Sequence, residues 1–333
     1  MRRILLLLVV LALIVAGTYR WAQYRYGEQA LAFARLPTRV EVRPGMGLRQ
    51  VGAALRAAGV QAPDWLLKLA ARLREDAHRI QIGIYEFREP QSLREILDRM
   101  VAGDVLTAEI RFIEGWRFDQ LRETIAGHPE LRHEAASLSE QALLDRLGIR
   151  YEHPEGLFFP STYRFAAGIS DLEVFRMAHE ALRKLLDEAW AAREPGLPLK
   201  DPYEALVLAS VVEKEAGTEA DRALIAGVFI NRLRRGMKLQ SDPTTIYGLG
   251  DAFDGDLRRV HLRTDTPYNT YTRHGLPPTP IALVGRASLQ AVLHPAKTDA
   301  LYFVARGDGS SQFSVTLDEH NAAVRKYQLR QGR

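Results

Sequence analysis

DPYEALVLASVVEKEAG, residues 201–217, is the stretch from which the rest of the chain can be read. Asp201 suits an N-cap, Pro202 suits the first helical position, and Glu204 stands at capping-box spacing. Gly217 sits where a C-terminal glycine stop belongs. The spacing therefore predicts a helix ending just after Glu215. Leu208, Val211 and Val212 lie seven, four and three residues before Glu215, so all four share one face. Glu213 is about 200° away around the axis, at roughly 100° per residue, and points towards Ala209 and Ser210. Two effects favour the neutral form of a carboxyl at the position of Glu215. Desolvation by apolar neighbours disfavours the charge, and so does the negative end of the helix dipole. A carboxylic acid still protonated near neutral pH can donate its proton to a leaving group. A surface glutamate on the last turn, or one paired with Arg222 or another nearby base, would fit the same local pattern.

The 333 residues allow two domains, and a hydrophobic content of 47% can fill real cores. A net charge of +4 is modest, and no zinc-finger, RNA-recognition or basic-helix motif accompanies it. No nucleic-acid partner is expected; anionic lipid or an acidic polymer suits the excess. There are no cysteines, which excludes disulfides, thiol nucleophiles and iron–sulfur clusters. Arg2-Arg3 precede an apolar run from Ile4 to Gly17, extended by Thr18 and Tyr19 and followed by Arg20 and Trp21. The run is at the short limit for spanning a bilayer. A cleaved signal peptide has a similar layout, although Val15-Ala16-Gly17 is a weak cleavage box. The preferred reading is an uncleaved single-span anchor over 1–20. Its N-terminus would be cytoplasmic, Trp21 and Tyr24 would lie at the interface, and the bulk of the chain would be outside. Residues 21–38 then form a tether.

Residues 39–106 read as a small module. Val40–Val42 is a strand, Pro44–Gly47 a turn, and Leu48, Val51, Leu55 and Ala58 carry helical spacing up to Gly59. Trp65–Leu73 is a second helix, Ile82–Phe87 a strand, and Ser92–Ala102 a third helix closed by Gly103. Such a unit either binds a ligand or simply packs. Residues 107–333 form the larger domain. It should contain a strand at Ala108–Ile113 and helices at Phe118–Ala126 and Leu172–Ala192. Another helix should run from Thr218 to Arg235. A hairpin should flank Gly307-Asp308-Gly309, and Thr316 and Glu319 should cap a last helix. The fold class is α+β.

Three loops hold the candidate site. Pro154–Tyr163 is aromatic, bounded by proline and carries Glu155; it fits a sugar-stacking wall or a buried plug equally well. Leu239–Gly248 and Tyr268–Tyr271 are rich in hydroxyls, amides and rings, the mix a carbohydrate site needs. The candidate substrate-binding residues are Glu155, Tyr163, Gln240, Asp242, Thr244, Tyr247, Tyr268, Asn269 and Tyr271, with Glu215 the candidate catalytic residue. There is no GxGxxG fingerprint, Walker loop, HExxH or GxSxG motif. No cofactor is expected. His261, His274, His294 and His320 are scattered and read as structural or polar-contact residues, so no metal site is expected.

Taken in order, Glu155-Gly156 with Pro160 and Tyr163, Ala209–Glu215, Val228–Leu233, Leu239–Thr244, Tyr268–Tyr271, Gly275–Pro278, His294–Lys297 and Leu301–Val304 give the chain a clear likeness. It resembles the YceG-like (MltG) family of endolytic murein transglycosylases over nearly its whole length. The resemblance implies a single N-terminal transmembrane helix in the bacterial inner membrane. It further implies a LysM-like subdomain and a mixed α+β catalytic domain in the periplasm. The implied activity is that of a lyase. It cleaves the β-1,4 bond between N-acetylmuramic acid and N-acetylglucosamine inside nascent peptidoglycan strands, leaves a 1,6-anhydro-muramic end and ends glycan elongation. The family's catalytic residue falls on Glu215, and peptidoglycan synthases (penicillin-binding proteins) are the implied partners.

One carboxyl group suits that chemistry. A hydrolase normally pairs two carboxylates, the second acting as nucleophile or activating water; here the C6 hydroxyl of the sugar replaces the water. Two rival readings remain. One is a non-catalytic, membrane-anchored peptidoglycan-binding scaffold for synthases. The other is a muramidase with Asp242 or Glu155 as its second carboxylate.

Overall fold

The computed structural model of the chain describes residues 2–328. Two compact units are present: Met1–Glu109 with Glu130–Arg132 and Arg164–Ile169, and Ile110–Pro129 with His133–Tyr163 and Ser170–Arg333.

The first unit begins with α1 (Arg2–Gly27), whose apolar window has a mean hydropathy of 2.2 and none of its residues buried. By length and composition this helix can cross a membrane. It continues well past residue 20, and residues 21–38 are not a free tether. Tyr26 and Leu31 are buried in the unit's core, Trp21 stacks on Trp65, and bridges join Ala30 to Ser92 and Phe33 to Val60. The cause is apolar content: these side chains leave water by folding back on the module.

The module follows the expected order: β1 (Thr38–Val42), α2 (Leu48–Ala57), α3 (Asp64–Leu73), β2 (Gly83–Phe87) and α4 (Leu93–Ala102). β1 pairs antiparallel with β2, Val40 opposite Tyr85, and buries Val40 and Val42 on alternate positions. Their core partners include Val51, Leu55, Leu66, Phe87, Ile96 and Met100. α4 is closed at both ends by its own sequence. Ser92 and Glu95 form a reciprocal capping box, and Gly103 takes the left-handed φ of 73° that the C-terminal turn needs.

The chain then alternates short strands and helices: β3 (Thr107–Arg111), α5 (Phe118–Ala126), α6 (Glu140–Leu147), β4 (Thr162–Ala166) and α7 (Asp171–Ala191). β3 pairs with β4. The rest lies in the second unit: α8 (Pro202–Glu215), α9 (Glu219–Arg234), α10 (Asp242–Leu249), α11 (Arg259–Arg263), α12 (Arg286–Leu293), β5 (Tyr302–Ala305), β6 (Ser311–Ser314) and α13 (Leu317–Tyr327). β5 and β6 form the expected antiparallel hairpin, and Thr316 with Glu319 caps α13 as expected.

Two expectations about α8 change. Every residue from Ala205 to Val212 is buried, including Ala209 and Ser210. α8 is thus a core helix packed by α7, α9 and α12, and it has no polar face towards which Glu213 could turn. Its end is also different. Asp201 caps the start, accepting the Glu204 N–H, but the last turn is followed by Ala216 in an extended conformation and not by a left-handed glycine. Gly217 is required for space instead: a Cβ there would stand 2.7 Å from the Gly309 carbonyl oxygen of the hairpin loop. The polar stretch 239–248, expected as loop, contains helix α10. Ser241 is its N-cap and Pro243 lies in its first turn.

Candidate active site

Glu215 is the last residue of α8, and a short turn from Leu239 to Ser241 approaches it. The Ser241 hydroxyl donates to Glu215 Oε1 at 2.6 Å, so Ser241 caps no backbone N–H of α10. Gln240 is the one non-glycine residue with positive φ among the described residues, at 50°. A left-handed residue with a Cβ costs about 1–2 kcal/mol, so neighbouring bonds must hold it. Arg232 supplies one set. Its Nη1 donates to the carbonyls of Lys238 (3.2 Å) and Leu239 (2.8 Å) and to Gln240 Oε1 (3.2 Å), while its Nε donates to Leu301 O at 2.6 Å. Thr270 supplies the other. Its carbonyl accepts the Gln240 N–H at 3.1 Å and its Oγ1 accepts the Ser241 N–H at 3.0 Å. The turn that presents Ser241 is thus clamped from both sides.

Glu215 opens on a cavity of about 520 Å³, within the size range of small-molecule sites. Gln240, Asp242 and Tyr271 line it beside Glu215; Tyr302, from β5, and His320, from α13, line it as well. The Tyr271 hydroxyl donates to Asp242 Oδ1 at 2.6 Å. Tyr302 stacks on His320 with ring centroids 5.3 Å apart, and Arg232 lies 5.1 Å from the Tyr302 centroid. Burial raises the Glu215 carboxyl to about 7. The Asp242 charge adds to that rise, while the Ser241 bond and the Arg232 charge oppose it. Near neutral pH the group therefore exists in both forms, as a proton donor and acceptor needs.

Glu213 has a different environment. Its Oε2 accepts the Gly285 N–H at 3.0 Å, and Arg222 stands 4.0 Å from its Oε1. Arg222 thus pairs with Glu213 and not with Glu215.

The other candidate residues separate into two groups. Thr244 and Asn269 are fully buried beneath the cavity wall. Thr244 Oγ1 bonds the Ser241 carbonyl and Thr270 Oγ1. Asn269 donates to the carbonyls of His261, Leu262 and Thr264 and accepts the Tyr271 N–H. They shape the site without lining it. Glu155, Tyr163, Tyr247 and Tyr268 do not line it either. Glu155 is only 2% exposed; it accepts the Phe118 N–H at the start of α5 and the Tyr247 hydroxyl at 3.1 Å. Burial raises its carboxyl to about 7 against those two bonds. Tyr163 is a core residue of β4, packed on Phe112, with its hydroxyl given to the Phe159 carbonyl at 2.7 Å. Tyr268 bonds Thr279 and meets Tyr247 edge-on. The aromatic loop 154–163 is thus a buried plug, with Leu157 and Phe158 among its fully enclosed side chains. Ser241, Arg232 and Tyr302 are not among the sequence candidates, and His320, expected to be structural or a polar contact, lines the cavity. Ser241 and Arg232 stand inside motifs already quoted; Tyr302 and His320 reach the cavity only through the hairpin and α13. Among the described residues, no group of three or more His, Asp or Glu is placed to hold a metal.

A family model described as the YceG-like family matches residues 40–326. A protein of Bacillus subtilis (strain 168) named endolytic murein transglycosylase is 35% identical over 268 residues, covering 75% of this chain and 74% of that one. A Streptococcus pneumoniae (strain D39) protein of the same name is 26% identical over 378 residues; the match takes in 96% of this chain and 64% of the longer pneumococcal one. A crystal structure of a yceG-like protein from Listeria monocytogenes aligns with a TM-score of 0.53 at 29% identity, covering 85% of this chain and 97% of that one.

Proposed function

Since the chain belongs to the YceG-like family, we propose that it is an endolytic murein transglycosylase with Glu215 as its one proton-transferring group. The observation that carries this reading is Glu215 itself: a carboxyl near 7, held by Ser241 on the wall of an open cavity. Neutral Glu215 gives its proton to the glycosidic oxygen as the bond from C1 of the muramic residue breaks. The resulting carboxylate takes the proton of the C6 hydroxyl as O6 closes on C1. One C–O bond breaks, one forms, the proton returns to Glu215 and no water enters. The internal nucleophile gains from proximity, since the attacking oxygen is on the same sugar. The Asp242 carboxylate and the Tyr271–Asp242 pair are the groups that steady the cationic sugar, and Gln240 offers its amide to hydroxyls.

The rest of the proposal is spatial. α1 anchors the chain in the bacterial inner membrane with its N-terminus cytoplasmic, and both units lie in the periplasm. The β1–α2–α3–β2 module acts as a LysM-like grip on glycan, and penicillin-binding synthases are its neighbours. A muramidase remains the second reading because Asp242 shares the cavity with Glu215.

Mass spectrometry of glycan strands digested by the full chain tests the reading. Anhydro-muramic ends support it; ends heavier by one water favour the two-carboxylate route. Glu215→Gln should leave the strands uncut. If that variant still produces anhydro ends, the assignment is wrong; if the wild type cuts nothing, the scaffold reading gains.

A further inference from the structure

At the end of α1 the first unit holds a second cavity, about 450 Å³, lined among others by Arg25, Gln29, Arg56, Gln61 and Pro63. Its height over a bilayer is set by α1, which runs unbroken from the apolar run into the module. Trp21 stacks on Trp65, with centroids 5.4 Å apart and planes 14° apart. Trp65 therefore stands level with the second residue after Tyr19, about 3 Å beyond the apolar run at 1.5 Å per residue. Both rings remain exposed, and indoles at that level suit a headgroup layer. Arg25 lies one turn further, 6.0 Å from the Trp21 centroid, and its Nε is buried with no hydrogen-bond partner among the described residues. Arg56 bonds Asp64 at 2.9 Å and the Ala62 carbonyl at 3.2 Å through Nη1. Residues 20–79 carry eleven Lys and Arg against five Asp and Glu.

We propose that this cavity takes the phosphate of an anionic phospholipid headgroup, with Arg25 as its main contact and Arg56 beside it. A guanidinium matches phosphate geometry and is weakly hydrated, so it suits an anion held one turn beyond the Trp21–Trp65 stack, at the level of the headgroups. The lipid's acyl chains then continue along the exposed apolar side chains of α1. The contact holds the module against the membrane surface beside the span. The proposal rests on the reading of α1 as a membrane anchor.

The test uses the full chain in nanodiscs of equal phosphatidylcholine and phosphatidylglycerol, with native mass spectrometry counting the lipids kept on release. Wild type should keep phosphatidylglycerol about fivefold over phosphatidylcholine, the scale expected of one cation at a membrane surface. Arg25→Gln should bring that ratio near one, Arg25→Lys should keep most of it, and Arg88→Gln, the same charge change elsewhere in the module, should leave it alone. Matching melting curves for the Arg25 variants show that the module still folds. An even ratio in wild type, or an equal loss in Arg88→Gln, overturns the headgroup site. Displacement of the lipid by excess inorganic phosphate also overturns it, in favour of a free-phosphate site. A chain that never enters the discs overturns the anchor reading itself, which is a distinct result.

Discussion

Replacing Glu215 by glutamine should remove activity and at the same time stabilise the folded chain above neutral pH. The carboxyl rises from 4.5 to about 7 on folding, chiefly through burial. At 1.36 kcal/mol per pKa unit, ionising it in the folded state costs about 3 kcal/mol relative to the unfolded chain. The folded pKa is raised, so the stability contributed by the neutral carboxyl is fully present below 4.5 and is lost as pH rises through 7. Glutamine is neutral throughout and still offers an oxygen to the Ser241 hydroxyl. The variant and wild type should therefore unfold alike near pH 4. The variant should gain steadily between pH 5 and 7, and the gap should level off near 3 kcal/mol above pH 8. Denaturant unfolding of the full chain in detergent micelles, repeated across that range, measures the gap. A variant no more stable than wild type at pH 8 would mean that Glu215 is held as a paired anion. The general-acid role would then lose its physical basis, whatever the variant's activity.

Two further substitutions test the surroundings. Ser241→Ala removes a bond to a carboxylate worth about 1.5–3 kcal/mol. The Glu215 carboxyl should rise by roughly one to two units, so the alkaline limb of kcat/KM should move up in pH while kcat falls; an unmoved limb would show that Ser241 does not tune the acid. Tyr163→Phe should cost about 1 kcal/mol of stability through its lost bond to Phe159, with KM and the anhydro product unchanged. A raised KM would return Tyr163 to the substrate site.

Much of the secondary structure was legible because its causes are local. Ser92, Glu95 and Gly103 bound α4; Thr218 opens α9; Thr316 and Glu319 open α13. The alternation in β1 and the helical spacing in α2 and α3 mark elements with one wet face. Elements without that contrast escaped. α12 is buried on most sides, so its residues carry no clear period, and the polar residues of α10 resemble a loop despite the Ser241-Asp242-Pro243 start. The aromatic loop at 154–163 showed the composition of a sugar wall and folded as a plug, because composition records which side chains are present and not which way they face.

From the residues alone came the span-length apolar helix, the β-α-α-β module, the extent of α8 and a short set of polar candidates. The difference between the surroundings of Glu213 and Glu215 is tertiary. The facial argument preferred Glu215, yet α8 is buried on every side from Ala205 to Val212, so helical phase could not decide the matter. What distinguishes the two is the partner each carboxyl meets: the Gly285 N–H and Arg222 for Glu213, and the Ser241 hydroxyl with an open cavity for Glu215, which supports Glu215 as the proposed acid. Caps and periodicity act over three or four residues, within reach of a local reading. Ser241 is 26 residues from Glu215 in the chain, and only the clamp of Arg232 and Thr270 on the left-handed Gln240 turn brings its hydroxyl to that carboxyl.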